Sequence, residues 1–356
     1  MDKIRGCIFG GAVGDALGYP VEFLREEEIF RKFGPQGITA YQKALISDDT
    51  QMTLFTANGL LVRDTEAALG GACVLPRVSV MAAYKDWLKT QEFSMDARPA
   101  KGGGSSWLLD VPELYSRRAP GNTCLSALLD GTEYEDYVKA RRNHSKGCGG
   151  IMRVAPLAVN YKLADIEQLD MEAAQIAAIT HGHSLGYMPA AVLVHVINRI
   201  VFPPEGKTMS LKEIILEARD TMPRVFAGDK HLEELTYTID LAVELSENSA
   251  DDLHNIHRLG EGWVGEETMG ISLYCALRHQ DDFSAGIIAA VNHNGDSDST
   301  GAVTGNILGA LLGYEAIADQ WKQDLELSSV ILEIADDLAC KRFQEPSWQK
   351  KYANSF

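Results

Sequence analysis

Two short acidic clusters stand near opposite ends of this chain and constrain how it can fold. Residues 47–50 read Ser-Asp-Asp-Thr, and residues 294–301 read Asn-Gly-Asp-Ser-Asp-Ser-Thr-Gly. Both are flanked by apolar, glycine-rich sequence. Four carboxylates gathered at a packed site cannot stay ionised without compensation. Divalent cations supply that compensation economically, and a set of oxygen ligands selects hard ions such as Mg²⁺ or Mn²⁺.

Apolar residues recur with helical spacing along most of the chain, whereas strand-like alternation is scarce. Because the two acidic clusters must meet, we expect an all-α fold, with one compact multi-helix domain over residues 1–356 that ends in a helical tail at 319–356. Glycine- and proline-rich segments predict loops at 102–106, 119–122 and 203–206. The predicted helices are 52–63, 78–90, 165–180, 186–201, 210–220, 231–247, 284–292 and 301–318.

Glycines form two stripes in which every fourth residue is glycine. The stripes consist of Gly10, Gly14 and Gly18 near the start, and of Gly301, Gly305, Gly309 and Gly313 near the end. On a helix this spacing places the glycines on one face. An interior glycine costs a helix about 1 kcal/mol relative to alanine, so such stripes indicate the close approach of another backbone. We hypothesise that these two helices are central, tightly packed and in contact with each other.

Charge and composition exclude some classes of function. The formal net charge of -17 argues against nucleic acid as a partner. The longest apolar runs are broken well short of the ~20 residues that a membrane span needs, and the first motif follows the start too closely for a signal peptide. Six scattered cysteines without zinc spacing are typical of reduced thiols. We therefore expect a cytoplasmic protein that is not associated with membranes. Separately from these features, we expect a monomer.

Each acidic cluster also has a purely structural interpretation. Asp48 would cap the following helix while Gln51 reaches back to it, and Ser299 would open a helix after a solvated Asp-x-Asp turn. Capping and metal ligation are compatible, because Asp48 and Asp49 point in different directions at a turn that enters a helix. The EF-hand pattern is excluded, since no glutamate follows at the required spacing. The two clusters together indicate a metal site more strongly than either does alone.

Two further carboxylates near the start would serve either structure or chemistry. Asp15 lies among small apolar residues and is either a buried cap for neighbouring backbone or a catalytic group. Glu22 stands between Val21 and Phe23 and is either an exposed loop residue or a buried acid. A carboxylate in apolar surroundings has a raised pKa and suits general acid–base catalysis.

Glycine-rich turns and a histidine pair are the remaining candidates. Residues 121–123 (Gly-Asn-Thr) and 147–153 (Gly-Cys-Gly-Gly-Ile-Met-Arg) precede helical sequence, where backbone N–H groups can hold phosphate oxygens. Neither fits a P-loop. His181 and His183 close a predicted helix and either complement its dipole or contact a ligand. Cys148 is more typical of a small buried side chain than of a nucleophile.

Several of these segments occur in one specific order. They are 14–18 (Gly-Asp-Ala-Leu-Gly), 21–23 (Val-Glu-Phe), 47–50, 121–123, 147–153, 180–183 (Thr-His-Gly-His) and 295–299. In this order the chain resembles the ADP-ribosylglycohydrolases, over about residues 3–318. Residues 260–267 also look like a segment of that family.

The resemblance implies an all-α fold with a central dinuclear site for two Mg²⁺ or Mn²⁺ ions. The implied metal ligands are Ser47, Asp48, Asp49, Asp296, Asp298 and Ser299. The residues implied to line an ADP-ribose groove are Asn122, Thr123, Gly147, Cys148, Gly149, Gly150, Met152 and His181. An aspartate that some members carry before Gly-Asn-Thr is replaced here by residues 118–120 (Arg-Ala-Pro). That departure leaves Glu22 or Asp49 as the implied catalytic acid or base.

The expected function is metal-dependent hydrolysis that removes ADP-ribose from a modified protein or a small conjugate. Arginine-linked ADP-ribose on protein is the first candidate, with water attacking ribose C1 through an oxocarbenium-like state while two Mg²⁺ ions hold the ribose hydroxyls. Hydrolysis of O-linked ADP-ribose (serine or O-acetyl), a protein that binds ADP-ribose without cleaving it and an unrelated Mg²⁺-dependent phosphohydrolase are the alternatives. Because every implied metal ligand has a suitable oxygen, we favour an enzyme.

Overall fold

A computed structural model describes residues 1–98, 106–162 and 165–353 of the chain. Within these ranges the regular structure is helical, and the β-type pairing consists of one isolated antiparallel bridge between Gly147 and Val264. The predicted all-α class is therefore confirmed. The loop expected at 102–106 lies outside the described residues except for Ser106.

Eighteen α-helices are present in the described part of the chain. They are α1 Asp2–Gly18, α2 Glu26–Phe33, α3 Asp48–Ala68, α4 Pro76–Glu92, α5 Asn122–Asp130, α6 Tyr137–Ala140, α7 Ala155–Asn160, α8 Ile166–Ala178, α9 Ser184–Val201, α10 Leu211–Val225, α11 Leu232–Ser246, α12 Asp252–Leu259, α13 Gly265–Arg278, α14 Phe283–Val291, α15 Ser297–Leu312, α16 Asp319–Lys322, α17 Ser328–Cys340 and α18 Pro346–Tyr352. Short 3₁₀ turns occur at Tyr19–Val21, Met95–Ala97, Trp107–Asp110, Pro112–Tyr115 and Cys148–Gly150.

Every helix predicted from apolar spacing corresponds to an observed helix, but several boundaries are wrong, at both ends of α3 and α15 and at the end of α10. The segment predicted at 301–318 is α15, which ends at Leu312 because Gly313 adopts a φ of 88° that terminates the helix. Spacing also missed α13, whose residues are buried almost without interruption from Gly265 to Ala276. A helix buried on all sides has no polar stripe from which to detect it.

Helices α1 and α15 pack antiparallel at the centre of the fold, as the glycine stripes suggested. A Cβ atom added to Gly14 would lie 1.9 Å from the carbonyl oxygen of Gly301, and one added to Gly305 would lie 2.0 Å from that of Gly10. Only residues without side chains permit this approach of two helix backbones. Because the helices run in opposite directions, the beginning of α15 lies beside the end of α1.

Helix α9 is the one described helix that is long and apolar enough to cross a membrane. Its 18 residues have a mean hydropathy of 1.3, and 89% of them are buried inside the fold. It packs against several neighbours, including α8, α10 and α15. Its apolar character is that of a central core helix.

The C-terminal helices pack on the body of the protein. Helix α17 lies against α1 and α3, and Arg5 forms a two-point ion pair with Asp336 of α17 at 2.5 and 2.8 Å. Trp348 of α18 is buried and donates from Nε1 to Thr65 Oγ1 at 2.7 Å. The predicted helical tail is thus divided into three short helices that pack on the same core.

Candidate active site

The first acidic cluster forms the start of α3 and is held there by α1. Ser47 is the N-cap residue, and its Oγ accepts a hydrogen bond from Asp49 N at 3.2 Å. The buried carboxylate of Asp15 accepts from Ser47 N at 3.0 Å, from Thr50 N at 3.1 Å and from the Thr50 hydroxyl. Asp15 therefore caps neighbouring backbone, the structural one of its two interpretations.

The capping arrangement predicted for Asp48 is wrong. Asp48 is already the first helical residue, and its Oδ2 accepts from Gly121 N at 3.3 Å in the loop before α5. Gln51 does not reach back; its Nε2 donates to Ser116 O at 2.9 Å. Residues distant in sequence supply hydrogen bonds to Asp48 and Asp49. The carboxylates of these two aspartates therefore face the centre of the site.

The second acidic cluster forms the start of α15. Asp296 is the N-cap residue and accepts from Ser299 N at 3.2 Å, while Asp298 Oδ1 accepts from the same N–H at 2.9 Å. The Ser299 hydroxyl donates to Asp49 Oδ2 at 2.8 Å. The structure thus brings the two clusters together, as the sequence required.

Glu22 joins this group from the short turn that follows α1. Its side chain is buried, and one carboxylate oxygen of Glu22 lies within 4.8 Å of a carboxylate oxygen of Asp296 and of Asp298. Its Oε2 has no hydrogen-bond partner among the described residues. The exposed-loop interpretation of Glu22 is therefore wrong, and its charged neighbours are the carboxylates of Asp296 and Asp298.

Burial and mutual repulsion raise the pKa values of these carboxyl groups. Desolvation, followed by the charges of Asp298 and Asp296, raises the pKa of Glu22 to about 11. Desolvation and Asp298 likewise raise the pKa values of Asp48 and Asp49 well above the ordinary value. A set of buried carboxyl groups that resists ionisation in this way needs positive charge if it is to be ionised at neutral pH.

The donor set fits hard cations. The expected metal ligands at the N-terminal ends of α3 and α15 offer oxygen atoms only, and within the described part of the chain Glu22 presents a buried oxygen without a partner. Oxygen ligands of this kind are those that Mg²⁺, Mn²⁺ and Ca²⁺ prefer.

A groove of about 330 Å³ opens over the carboxylates. Of the residues expected in an ADP-ribose groove, those that line it are Asn122, Thr123, Gly147, Cys148, Gly149, Met152 and His181. Gly150 does not line it, because it packs against α9: a Cβ there would lie 2.3 Å from Gly186 O. Ser47 is also absent from the lining: it is fully buried, and its hydroxyl lies against Asp49 N and the carboxylate of Asp298.

The glycine-rich turn from Gly147 forms one wall of the groove. Gly147 forms the antiparallel β-bridge with Val264, and Cys148 N donates a hydrogen bond to Trp263 O at 3.3 Å. A Cβ on Gly149 would lie 2.8 Å from the imidazole of His181, so the turn backbone lies against that ring. A side chain on this turn would occupy space in the groove, which explains why these positions are glycine.

Cys148 lies against the carboxylate cluster. Its Sγ donates to Asp296 Oδ2 at 2.7 Å, and burial followed by the charge of Asp296 raises its pKa well above the ordinary value. A thiol that holds its proton this firmly is a poor nucleophile. The side chain acts here as a hydrogen-bond donor, in agreement with the low expectation for nucleophilic catalysis.

Two aromatic residues at the mouth of the groove were not selected from the sequence. Phe23 is 70% exposed and stacks on Trp263, with ring centroids 5.8 Å apart and an interplanar angle of 24°. Phe23 follows Glu22 directly, and Trp263 lies in the segment 260–267 that had been noted without a role. The position of an aromatic residue directly after the candidate acid Glu22 was the signal that could have identified Phe23.

Comparison with known proteins agrees with this arrangement. The ADP-ribosylglycohydrolase family model matches residues 1–347. The ADP-ribosyl-[dinitrogen reductase] glycohydrolase of Rhodospirillum rubrum is 25% identical over 343 residues, which cover 92% of this chain and 91% of that protein. The ADP-ribosylarginine hydrolase Tri1 of Serratia proteamaculans is 23% identical over 348 residues, or 95% and 79% of the two chains.

A solved structure described as an ADP-ribosylglycohydrolase-related protein complex shares the fold. It matches 97% of this chain and 98% of its own, with a TM-score of 0.63 at 22% identity. The chain therefore belongs to the ADP-ribosylglycohydrolase family, whose members are glycosyl hydrolases that act on ADP-ribosylated targets.

Proposed function

We propose that this protein hydrolyses the bond between ribose C1 and an arginine side chain in ADP-ribosylated protein. The observation that carries the proposal is the contact of Asp49 with Ser299 at a groove that Glu22 also lines, where Glu22 Oε2 has no hydrogen-bond partner among the described residues. The similar protein from Serratia is named an ADP-ribosylarginine hydrolase, which favours the arginine linkage.

Two Mg²⁺ ions would be held between the clusters in our proposal. Their ligands would be Ser47, Asp48, Asp49, Asp296, Asp298 and Ser299. Bound there, the ions would orient the ribose hydroxyls and lower the pKa of a coordinated water. The Ser47 hydroxyl oxygen accepts one hydrogen bond, from Asp49 N, and keeps a second lone pair for this role.

Glu22 and Asp49 would handle protons. Cleavage of a glycosidic bond passes through an oxocarbenium-like state, and a guanidine departs readily only if it is protonated. Glu22 is buried, its pKa is raised, and it lines the groove beside Phe23, so it suits proton donation to the leaving nitrogen. Asp49, whose orientation is held by Ser299, suits proton removal from the attacking water.

The groove walls would bind ADP-ribose. Asn122 and Thr123 open α5, so the free N–H groups of that helix terminus are available to phosphate oxygens. Across the groove, the backbone from Gly147 to Gly149 and the imidazole of His181 would contact the nucleotide.

One parallel assay tests the proposal. The protein and Mg²⁺ are incubated with arginine-, serine- and O-acetyl-linked ADP-ribose, and the products are separated by chromatography. Fastest release of free ADP-ribose from the arginine conjugate supports the proposal. Faster release from an O-linked conjugate would reassign the linkage. Release of phosphate or AMP would indicate a phosphohydrolase, and tight ADP-ribose binding without release would indicate a binding protein.

A further inference from the structure

Arg153 places a buried guanidinium behind the groove, outside the groups used so far. Its side chain is fully buried, and its guanidinium carbon lies 4.5 Å from the centroid of the Tyr84 ring. Its Nη1 contacts two sulfur atoms, Met52 Sδ at 3.3 Å and Cys124 Sγ at 3.4 Å. Among the described residues none forms a salt bridge with Arg153, and its Nε has no partner. A buried charge with such weak partners calls for an explanation.

The strongest contact of Arg153 leads to the groove. Its Nη2 donates to Thr180 Oγ1 at 2.6 Å, and Thr180 Oγ1 lies 2.8 Å from His181 Nδ1. Arginine can only donate, so the Thr180 oxygen must be the acceptor in the first bond. The hydroxyl then has one hydrogen of its own, which can be donated to His181 Nδ1.

Cooperativity fixes the direction of the second bond. An oxygen that accepts from a guanidinium is polarised, which makes its own hydrogen a better donor and its remaining lone pair a poorer acceptor. The opposite arrangement would have Nδ1–H donate to the oxygen and leave the hydroxyl hydrogen for the neighbouring Cys124 sulfur, a weak acceptor. Donation from the Thr180 hydroxyl to His181 Nδ1 therefore gives the hydroxyl hydrogen the stronger of the two acceptors.

We infer that Arg153 and Thr180 are positioning residues that hold His181 as the neutral tautomer with its hydrogen on Nε2, directed into the groove. The ring edge that carries Nε2 lies beside the glycine turn, where a Cβ on Gly147 or on Gly149 would be 3.3 Å from Nε2. Burial, followed by the charge of Arg153, lowers the pKa of His181 to about 3, so the ring stays neutral at physiological pH.

A fixed Nε2–H selects the kind of atom that can approach it. It donates to an acceptor oxygen, such as a phosphate or hydroxyl oxygen of a nucleotide sugar, and gives no bond to a donor-only group. This inference rests on the proposed function for the identity of the ligand, ADP-ribose. The direction of the hydrogen bonds rests on this chain alone.

The test uses the purified full chain with ¹⁵N-labelled histidine. The ¹⁵N chemical shifts of the two ring nitrogens show which one carries hydrogen, and the His181→Gln variant assigns the signals. We expect hydrogen on Nε2 in the unmodified protein. In Thr180→Val, which is nearly isosteric but has no hydroxyl, we expect a mixture of tautomers. Thr180→Ser, which restores the hydroxyl, should restore the single tautomer.

Calorimetric titration with ADP-ribose gives the second readout. We expect Thr180→Val to bind about five- to tenfold more weakly, the effect of one lost neutral hydrogen bond, with Thr180→Ser close to the unmodified protein. Thr221→Val is the matched control, because Thr221 is a buried threonine whose hydroxyl donates to Glu217 O on α10. Its affinity for ADP-ribose should not change.

Hydrogen on Nδ1 in the unmodified protein, or an unchanged single tautomer in Thr180→Val, would overturn the inference. These NMR outcomes do not depend on any substrate. Absence of ADP-ribose binding by the unmodified protein would instead contradict the proposed function, while the tautomer measurement would still decide the role of Arg153 and Thr180.

Discussion

Ser299 Oγ donates a hydrogen bond to Asp49 Oδ2 at 2.8 Å, although 250 positions separate the two residues. The contact exists because α1 and α15 pack backbone against backbone, which places the beginning of α15 at the end of α1. Asp15, near the end of α1, then anchors the beginning of α3 through Ser47 and Thr50. The glycine stripes and the acidic clusters are therefore parts of one structural arrangement.

Replacing Gly305 with leucine should destabilise the protein severely. A Cβ alone would lie 2.0 Å from Gly10 O, and a backbone carbonyl cannot move aside as a flexible side chain can. Overpacking commonly costs about 1–3 kcal/mol, and we expect the upper end or more here. Urea unfolding measures the change. Gly121→Ala is the control, since its Cβ would meet only Cys124 Sγ at 3.9 Å; equal stability of the two variants would argue against the tight pairing.

Removing a central carboxylate should abolish hydrolysis and most of the thermal stabilisation by Mg²⁺. We choose Asp49→Ala and Asp298→Ala, one from each cluster, since a cation shared by both clusters loses a ligand in either variant. Asp240→Ala is the control, because Asp240 is an exposed partner of Arg219. Turnover by both cluster variants in metal-supplemented buffer would refute the assignment.

Replacing Glu22 with glutamine should slow turnover and leave ADP-ribose affinity nearly unchanged. The amide keeps the size of the side chain but cannot supply a proton to the leaving nitrogen, and a general acid is typically worth about 10²–10⁴-fold in rate. Single-turnover kinetics and calorimetric titration separate the two quantities. A variant as fast as the unmodified enzyme would remove Glu22 from the mechanism.

Stability should depend on pH when a chelator removes cations. Burial and neighbouring charge raise the folded-state pKa of Asp15 from 3.8 to about 7 and that of Glu22 from 4.5 to about 11. The folded state then holds protons that the unfolded state has released, so stability is complete below about pH 4 and falls as the pH rises through these folded-state values.

Unfolding in urea at two pH values measures this dependence. We expect a lower midpoint at about pH 8 than at about pH 5 with chelator, and a smaller difference with Mg²⁺, because the cation replaces the protons as compensating charge. A midpoint that is equal or higher at the alkaline pH would show that the cluster carries no such repulsion.

The features that could be predicted from the sequence are those with a local pattern. Glycine spacing indicated the pairing of α1 with α15. The acidic composition of the two clusters indicated that these clusters would meet. Capping could be predicted only in part: Asp15 was a candidate cap, but Ser47 and not Asp48 is the N-cap of α3, because a contact with the distant Gly121 decides the role of Asp48.

Other features depend on how separate segments fold towards each other. Glu22 reaches Asp296 and Asp298 because the chain turns at Tyr19–Val21, and no spacing rule indicates that turn's direction. The stacking of Phe23 on Trp263 joins two segments that carry no shared pattern. Similarly, the buried helix α13 lacked the polar stripe that reveals amphipathic helices.

Anomalous X-ray diffraction from crystals grown with Mn²⁺ tests the central claim most directly. The claim is that remote carboxylates of one chain share cations. We predict two anomalous peaks between the pair Asp48 and Asp49 and the pair Asp296 and Asp298, each within coordination distance of carboxylate oxygens. Electron density at these positions without an anomalous signal would show that water and not Mn²⁺ lies there, and would contradict the account.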